Sequence, residues 1–330
     1  MNDRPGVCRQ FLDGTNWKNA TRVKVAGDAS NRSYDRLSDP TTGKTAILMD
    51  APPDKGEDVR PFIAIAQHLR AIGLSAPDII HADVENGFLI LEDLGDDLFS
   101  RLIPNRAELE NPLYAGATEV LLHLRTAEIP QVSAFDASVM ADLCMLAFTS
   151  YAGAVCPDTT GEFTARFTKL LSETTSGNQV LILRDYHADN LIWLPDRTGP
   201  AKIGLLDFQD AKTGHCAYDL VSLLQDVRRD VPADIEEEMI ARYIAKSGVE
   251  GGGFRQAYYV LGAQRALRIL GVFARLGREY GRPHYVDMIP KVWQILMRNL
   301  DHPALSPISA LLKDLLPEPD SELLQELKSS

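Results

Sequence analysis

Cysteine is scarce, with four in 330 residues at positions 8, 144, 156 and 216. None forms a C-x-x-C pair and none has a histidine at zinc-ligand spacing. This excludes a disulfide framework and a structural zinc site, and leaves isolated thiols in a reducing compartment. Long apolar runs are also missing. The richest stretch, residues 258–276, is interrupted by Gln264, Arg265, Arg268 and Arg275, so nothing approaches the roughly 18 uninterrupted apolar residues of a membrane span. The opening MNDRPGVCRQFLDG lacks the charged-then-apolar order of a secretion signal, and a cytoplasmic location is expected. Nor is there an excess of positive charge. Lys and Arg number 34 against 46 Asp and Glu, a net −12, which argues against nucleic acid as a partner because phosphate backbones need clustered cations.

What is present is enough apolar material, 45% of the chain, for one large or two modest domains. The first part reads as strands over residues 21–26, 33–37 and 45–50, separated by turn-prone stretches at 27–31 and 38–44. Pro61 suits the first turn of a helix carrying Phe62, Ile65, Ala66, Leu69 and Ile72 at helical spacing, and Gly73 stops it. Two short apolar runs, 79–80 and 87–91, read as paired strands, and strand character ends at 92–95. Helical patterning dominates from Asp96, over 114–126, 138–151, 163–173, 219–227, 235–247 and 254–276. A compact β island of 180–183, 191–194 and 202–206 interrupts it. The acidic tail from Pro317 is expected to be weakly ordered. The organisation expected is α+β and two-lobed, with a small β-rich N-lobe over 1–95 and a larger, mostly helical C-lobe over 96–330. The Thr42-Gly43-Lys44-Thr45 echo of a phosphate-binding P-loop is rejected, because Ser38 stands where its first glycine belongs and a strand pattern, not a helix, follows.

The chemistry concentrates between 183 and 220. Leu183-Arg184-Asp185-Tyr186-His187-Ala188-Asp189-Asn190 is followed by Leu205-Leu206-Asp207-Phe208-Gln209-Asp210. In phosphoryl transfer one Asp receives or orients the acceptor hydroxyl proton, while an Asn shortly after it and an Asp on a later strand hold Mg2+ against nucleotide phosphates. The D-x-x-x-x-N spacing lets one loop do both jobs. Asp207 follows an apolar run, so a rigid element would fix it. The reading is Asp185 as base, with Asn190 and Asp207 as metal ligands.

The R-D-Y-H-A-D-N segment resembles the catalytic loop of aminoglycoside phosphotransferases and related small-molecule kinases, which have the protein-kinase-like fold. Asp207-Phe208, Ala211, Gly214 and Tyr218-Asp219-Leu220 fit the family's later motif. The resemblance implies an ATP- and Mg2+-dependent enzyme acting on a small-molecule hydroxyl. It makes Asp219 a structural support of the catalytic loop and His187 a loop organiser, with Asp189 and Asp210 secondary. The GDAS, ILMDAPP, DFQDA and YDLVSLLQD segments, with Gly262-Ala263-Gln264-Arg265 and residues 271–276, resemble bacterial cell-wall amino-sugar kinases more narrowly. Those phosphorylate the anomeric hydroxyl of N-acetylmuramic acid or N-acetylglucosamine. Aminoglycosides, choline- or homoserine-like alcohols and a nucleotide-binding pseudokinase remain alternatives.

Nucleotide contacts are expected from Gly27, Ser30, Arg32 and Arg36 on the first hairpin and from Glu92 and Leu94 at the hinge. The family's third-strand Lys is replaced by Met49, and its acidic partner on the next helix is absent, so Arg32 or Arg36 is expected to supply the missing charge. An anionic sugar acid would want a cation such as Arg265, Arg268 or Arg275, with Asp189 a further substrate candidate. The plain alternative puts those arginines on the wet face of a core helix.

Overall fold

The computed structural model describes residues 3–27, 31–153 and 157–329. In chain order the elements are α1 (Arg4–Asp13), β1 (Thr21–Gly27), β2 (Ser33–Ser38), β3 (Thr45–Asp50), α2 (Arg60–Ala71), β4 (Ile79–Asp83), β5 (Phe88–Glu92), α3 (Phe99–Leu102) and α4 (Glu110–Thr126). Then come α5 (Ala137–Leu146), α6 (Pro157–Thr175), β6 (Gln179–Ile182), β7 (Leu191–Trp193), β8 (Ile203–Leu205) and β9 (Lys212–His215). The chain closes with α7 (Tyr218–Leu224), α8 (Ala233–Ser247), α9 (Gly251–Tyr280), α10 (Ile289–Leu300), α11 (Ser306–Leu315) and α12 (Ser321–Lys328). Two compact units result, Met1–Val120 with Asp189–Ala211, and Leu121–Ala188 with Lys212–Ser330.

The first unit is built on an antiparallel sheet of order β1-β2-β3-β5-β4. Alternation on β3 turns Ala46 and Leu48 toward one face, where they pack with Leu37, Phe88, Ile90, Cys8 and Leu12. Cys8 and Leu12 come from α1, which the sequence reading missed. Its signals were local: the Asp3 carboxylate caps the Gly6 N–H and Pro5 sits in the first turn. The turn at 39–44 is an ordinary hairpin connection, with Gly43 at φ +69° donating to the Asp39 carbonyl. Met49 is 1% exposed on β3, and the buried face of α2 is Phe62, Ile65, Ala66 and Leu69, without a charge.

The expected single β island divides. β7 pairs with β8 in the first unit, whereas β6 pairs with β9 in the second. β9 escaped the sequence reading because Lys-Thr-Gly-His carries no apolar alternation.

The second unit is organised around the 30-residue α9, against which α5, α6, α7, α10 and α12 pack. Glu250 caps its start through the Gly252 and Gly253 N–H groups, and Gly281 at φ +61° ends it. Gly271 allows close approach to the end of α5: a Cβ there would fall 2.2 Å from the Leu146 carbonyl carbon. The tail corrects its expectation of weak order. Asp320 caps α12 through the Leu323 N–H, Leu327 is fully buried, and Glu326 pairs with Arg278 of α9. An apolar anchor and ion pairs outweigh the acidic composition.

Candidate active site

In the second unit, β6 leads into a strained three-residue turn. The Asp185 N–H donates to the Leu183 carbonyl at 2.9 Å, and Arg184 between them sits at φ +71°. A non-glycine residue there is held at a cost the surroundings must offset. Here they do. The Asp219 carboxylate accepts the Leu183 and Arg184 N–H groups at 2.6 and 2.9 Å. The Arg184 carbonyl accepts from Ser222 Oγ at 3.1 Å and from Arg265 Nη1 at 3.0 Å. Asp219 and Ser222 lie three residues apart on α7, hence on one helix face. Complete burial pushes Asp219 up to about 6, against the lowering effect of its two N–H donors.

The turn delivers Asp185, whose side chain keeps 32% of its surface exposed. Burial acts to raise its pKa, but Arg265, Arg268, His187 and Arg184 together hold the carboxyl below its ordinary value, so it is ionised at neutral pH. His187 is buried, and burial with the nearby Arg228 and Arg265 charges depresses it to about 3. Arg228 Nη1 lies 3.2 Å from its Nε2. A guanidinium only donates, so Nε2 accepts and the neutral ring carries its proton on Nδ1. Arg265 is 5% exposed and Arg275 half-buried on the same helix. The wet-face expectation for Arg265 is therefore corrected, because its long side chain turns inward to the Leu183–Asp185 turn.

The first unit holds the other acids. Asn190 ends a short helical turn after Asp189, which is half-buried, and its carbonyl accepts from the Leu206 N–H at 3.0 Å. Asp207 follows β8 at φ +56°. Gln209 Nε2 donates to Asp207 Oδ1 at 2.7 Å, and Asn190 Nδ2 to Oδ2 at 3.5 Å. The β7–β8 hairpin is moored to the segment after α2, because Leu205 N–H donates to the Ser75 carbonyl and Ser75 Oγ to that of Ala201. Phe208 stacks on Phe62 of α2 with ring centroids 4.9 Å apart. No group of three or more His, Cys, Asp or Glu side chains gathers among the described residues. The donors are instead one carboxylate and one amide. That pair of hard oxygens fits Mg2+, which prefers a few protein ligands plus phosphate and water, better than a closed protein cage.

Of the residues expected at the nucleotide, Gly27 ends β1 opposite Ser33, while Ser30 lies outside the described residues. Arg32 Nε pairs with Glu57 Oε2 at 2.7 Å, and Glu57 Oε1 also accepts the Asn31 N–H at 3.1 Å. Arg36 grips two carboxylates, Asp93 at 2.6 and 3.0 Å and Asp96 at 2.8 and 3.0 Å; these bonds raise its pKa. The Glu92 carboxylate holds Arg197 at 2.5 Å, its N–H goes to the Asp78 carbonyl, and Leu94 is buried. Ser222, Gln209, Glu57, Asp93 and Asp96 were not among the sequence-derived candidates.

The small-sheet unit and the mostly helical unit have the architecture of protein-kinase-like phosphotransferases. The fold is that of a choline/ethanolamine kinase family protein from Mesorhizobium loti, with TM-score 0.62 and 13% identity over 94% of this chain and 99% of that one. It is likewise that of aminoglycoside 2'-phosphotransferase-IIIa in its GDP complex, with TM-score 0.63 and 13% identity over 90% and 98%. The chain belongs to the Phosphotransferase enzyme family, whose profile matches residues 21–258. Named relatives extend the likeness along the sequence. The N-acetylmuramate/N-acetylglucosamine kinase of Caulobacter vibrioides is 34% identical, covering 96% of this chain and 97% of that protein. The Pseudomonas aeruginosa protein of the same name is 29% identical over 90% and 89%.

Proposed function

We propose that this kinase transfers the γ-phosphoryl group of ATP to the anomeric hydroxyl of a cell-wall amino sugar, N-acetylmuramic acid or N-acetylglucosamine. The acceptor rests on the near full-length relatives that carry that name. The chemistry rests on one observation above the others. Asp185, ionised and partly exposed, stands at the end of a turn whose Leu183 and Arg184 N–H groups and Arg184 carbonyl are bonded to the side chains of Asp219, Ser222 and Arg265.

Asp185 accepts the acceptor hydroxyl proton as that oxygen bonds the γ-phosphorus and the bond to the β-phosphate oxygen breaks, releasing ADP. Asn190 and Asp207 would hold Mg2+, which neutralises phosphate charge when bound. His187 stays neutral and organises the loop, and Asp219 supports it. Asp189 and Arg275 are assigned to the acceptor, whereas Arg265 is engaged at the Asp185 turn. Nucleotide binding is assigned to the N-lobe, residues 1–95, and catalysis with acceptor binding to 96–330. On the nucleotide side, Gly27 and Arg32 are assigned to the phosphates, as is Ser30, which lies outside the described residues. Arg36 anchors the hinge segment through Asp93 and Asp96, and the backbone around Glu92 and Leu94 faces adenine. No described helix is long and apolar enough to cross a membrane, and the cytoplasm, where ATP is supplied, is the location this reading favours. ADP release measured with the two amino sugars, kanamycin, choline and homoserine tests the reading. Turnover confined to the amino sugars is expected; turnover on choline or kanamycin alone would replace the acceptor.

A further inference from the structure

Arg265 sits near the middle of α9 with 5% of its surface exposed. A guanidinium so deeply placed needs compensation from charge and hydrogen-bond partners. It finds them in one place. Nη1 donates to the Arg184 carbonyl at 3.0 Å, and Nη2 lies 4.0 Å from Asp185 Oδ1. The Tyr218 ring centroid is 6.0 Å from its Cζ, completing the surroundings on the α7 side. One fork thus spans the peptide of the strained residue and the carboxylate that follows it. A planar guanidinium suits one nitrogen to the carbonyl and the other to the carboxylate, whereas a lysine ammonium is a point charge on a flexible stem.

We propose that Arg265 is a positioning residue: it locks the Arg184 peptide in its left-handed conformation and aims Asp185, without touching the acceptor. The inference rests on Asp185 being the base. It also assigns the charge that Asp219 and Ser222 do not supply. Those two side chains secure the turn's backbone from α7, whereas Arg265 bonds the backbone and lies within ion-pair range of Asp185. The Gly262-Ala263-Gln264-Arg265 segment then serves geometry at the turn, not recognition of a sugar carboxylate.

The experiment compares wild type with R265K, R265Q, S222A and D185N, using neutral N-acetylglucosamine and anionic N-acetylmuramic acid as acceptors. In R265Q, kcat should fall about 10- to 100-fold equally on both acceptors, the loss expected from slight misplacement of a reacting group. KM for ATP and for each acceptor should stay within about three-fold. R265K keeps charge without the fork and should recover part of the loss. S222A, which removes the other donor to the same carbonyl, should lower kcat by less than R265Q. If R265Q does not fold, R265K is judged by the same criterion. Unchanged kcat in both Arg265 variants, or a loss confined to KM for the anionic acceptor, overturns the proposal. If that happens while D185N is inactive, only the role of Arg265 fails. Wild-type turnover in D185N would instead remove the base assignment itself.

Discussion

Two acids singled out by the sequence are each held at a backbone turn with positive φ, and the molecule secures them by different means. At Arg184–Asp185 the partners are remote in sequence, charged or buried: Asp219, Ser222 and Arg265, drawn from two helices. At Asp207 the partners include two neutral amides, Gln209 two residues on and Asn190 on the same hairpin, backed by the Phe208–Phe62 stack. A base must keep its charge and aim through protein groups alone. A metal ligand shares its orientation with the ion it binds, so neutral amides and an aromatic anchor suffice. On the proposed reading, the difference separates the acid assigned to proton chemistry from the acid assigned to a cation.

The largest expected effect lies on the proton side. Asp185→Asn keeps the turn but removes the acceptor, and kcat should fall by about 10³, within the range for general-base removal. ATP affinity, read by calorimetry, should be unchanged. A rate within ten-fold of wild type would erase the distinction between the two turns.

Next comes the scaffold of the same turn. Asp219→Asn replaces one of two acceptor oxygens with a donor facing a buried N–H, which should cost about 2–3 kcal/mol in urea unfolding. Glutamine 209 offers the counterpart. Gln209→Ala should cost less than about 1 kcal/mol, because its bond is to a side chain near solvent. Equal costs would break the comparison.

A smaller effect is pH-dependent. His187 and His215 are kept neutral by burial, at about 3 and about 4 against an ordinary 6.5. The folded values lie below the unfolded one, so as pH falls the unfolded chain takes up protons first. The stability is intact above pH 6.5 and is lost as the pH falls through about 4. His215→Asn should therefore lose about 1–2 kcal/mol less than wild type between pH 7 and pH 5. Parallel losses would show that His215 titrates normally. The smallest effect belongs to the nucleotide hairpin. Glu57→Gln loosens Arg32 and Asn31, and KM for ATP should rise about three- to ten-fold with kcat little changed. An unchanged KM for both Glu57→Gln and Arg32→Gln would detach that hairpin from the nucleotide.

Asp185, Asn190 and Asp207 were singled out by local spacing, D-x-x-x-x-N in one loop and an Asp after an apolar run, and the fold sets Asn190 beside Asp207. The sheet was legible for the same reason, through period-two patterning in 45–50 and the turn residues beside it. Arg265 was not. An R-x-x-R repeat on a helix reads as a solvated face, and only the packing of α9 against α7 shows that the first arginine is buried at the turn. Glu57 and Gln209 escaped for a related reason, since their partners come from folding or from a bent backbone and not from any pattern. The helix at Ser321–Lys328 was hidden by acidic composition, although Leu327 supplies its anchor.

The central claim, that one turn serves the proton and the other the metal, is tested most directly by titrating Mg2+ against turnover in wild type, D185N and D207N. The account predicts that D207N raises the half-saturating Mg2+ concentration about ten-fold or more and recovers rate at high metal. D185N should keep the wild-type midpoint at a kcat lowered about 10³-fold that no Mg2+ concentration restores. A shifted midpoint in D185N, or an unshifted one in D207N, would contradict it.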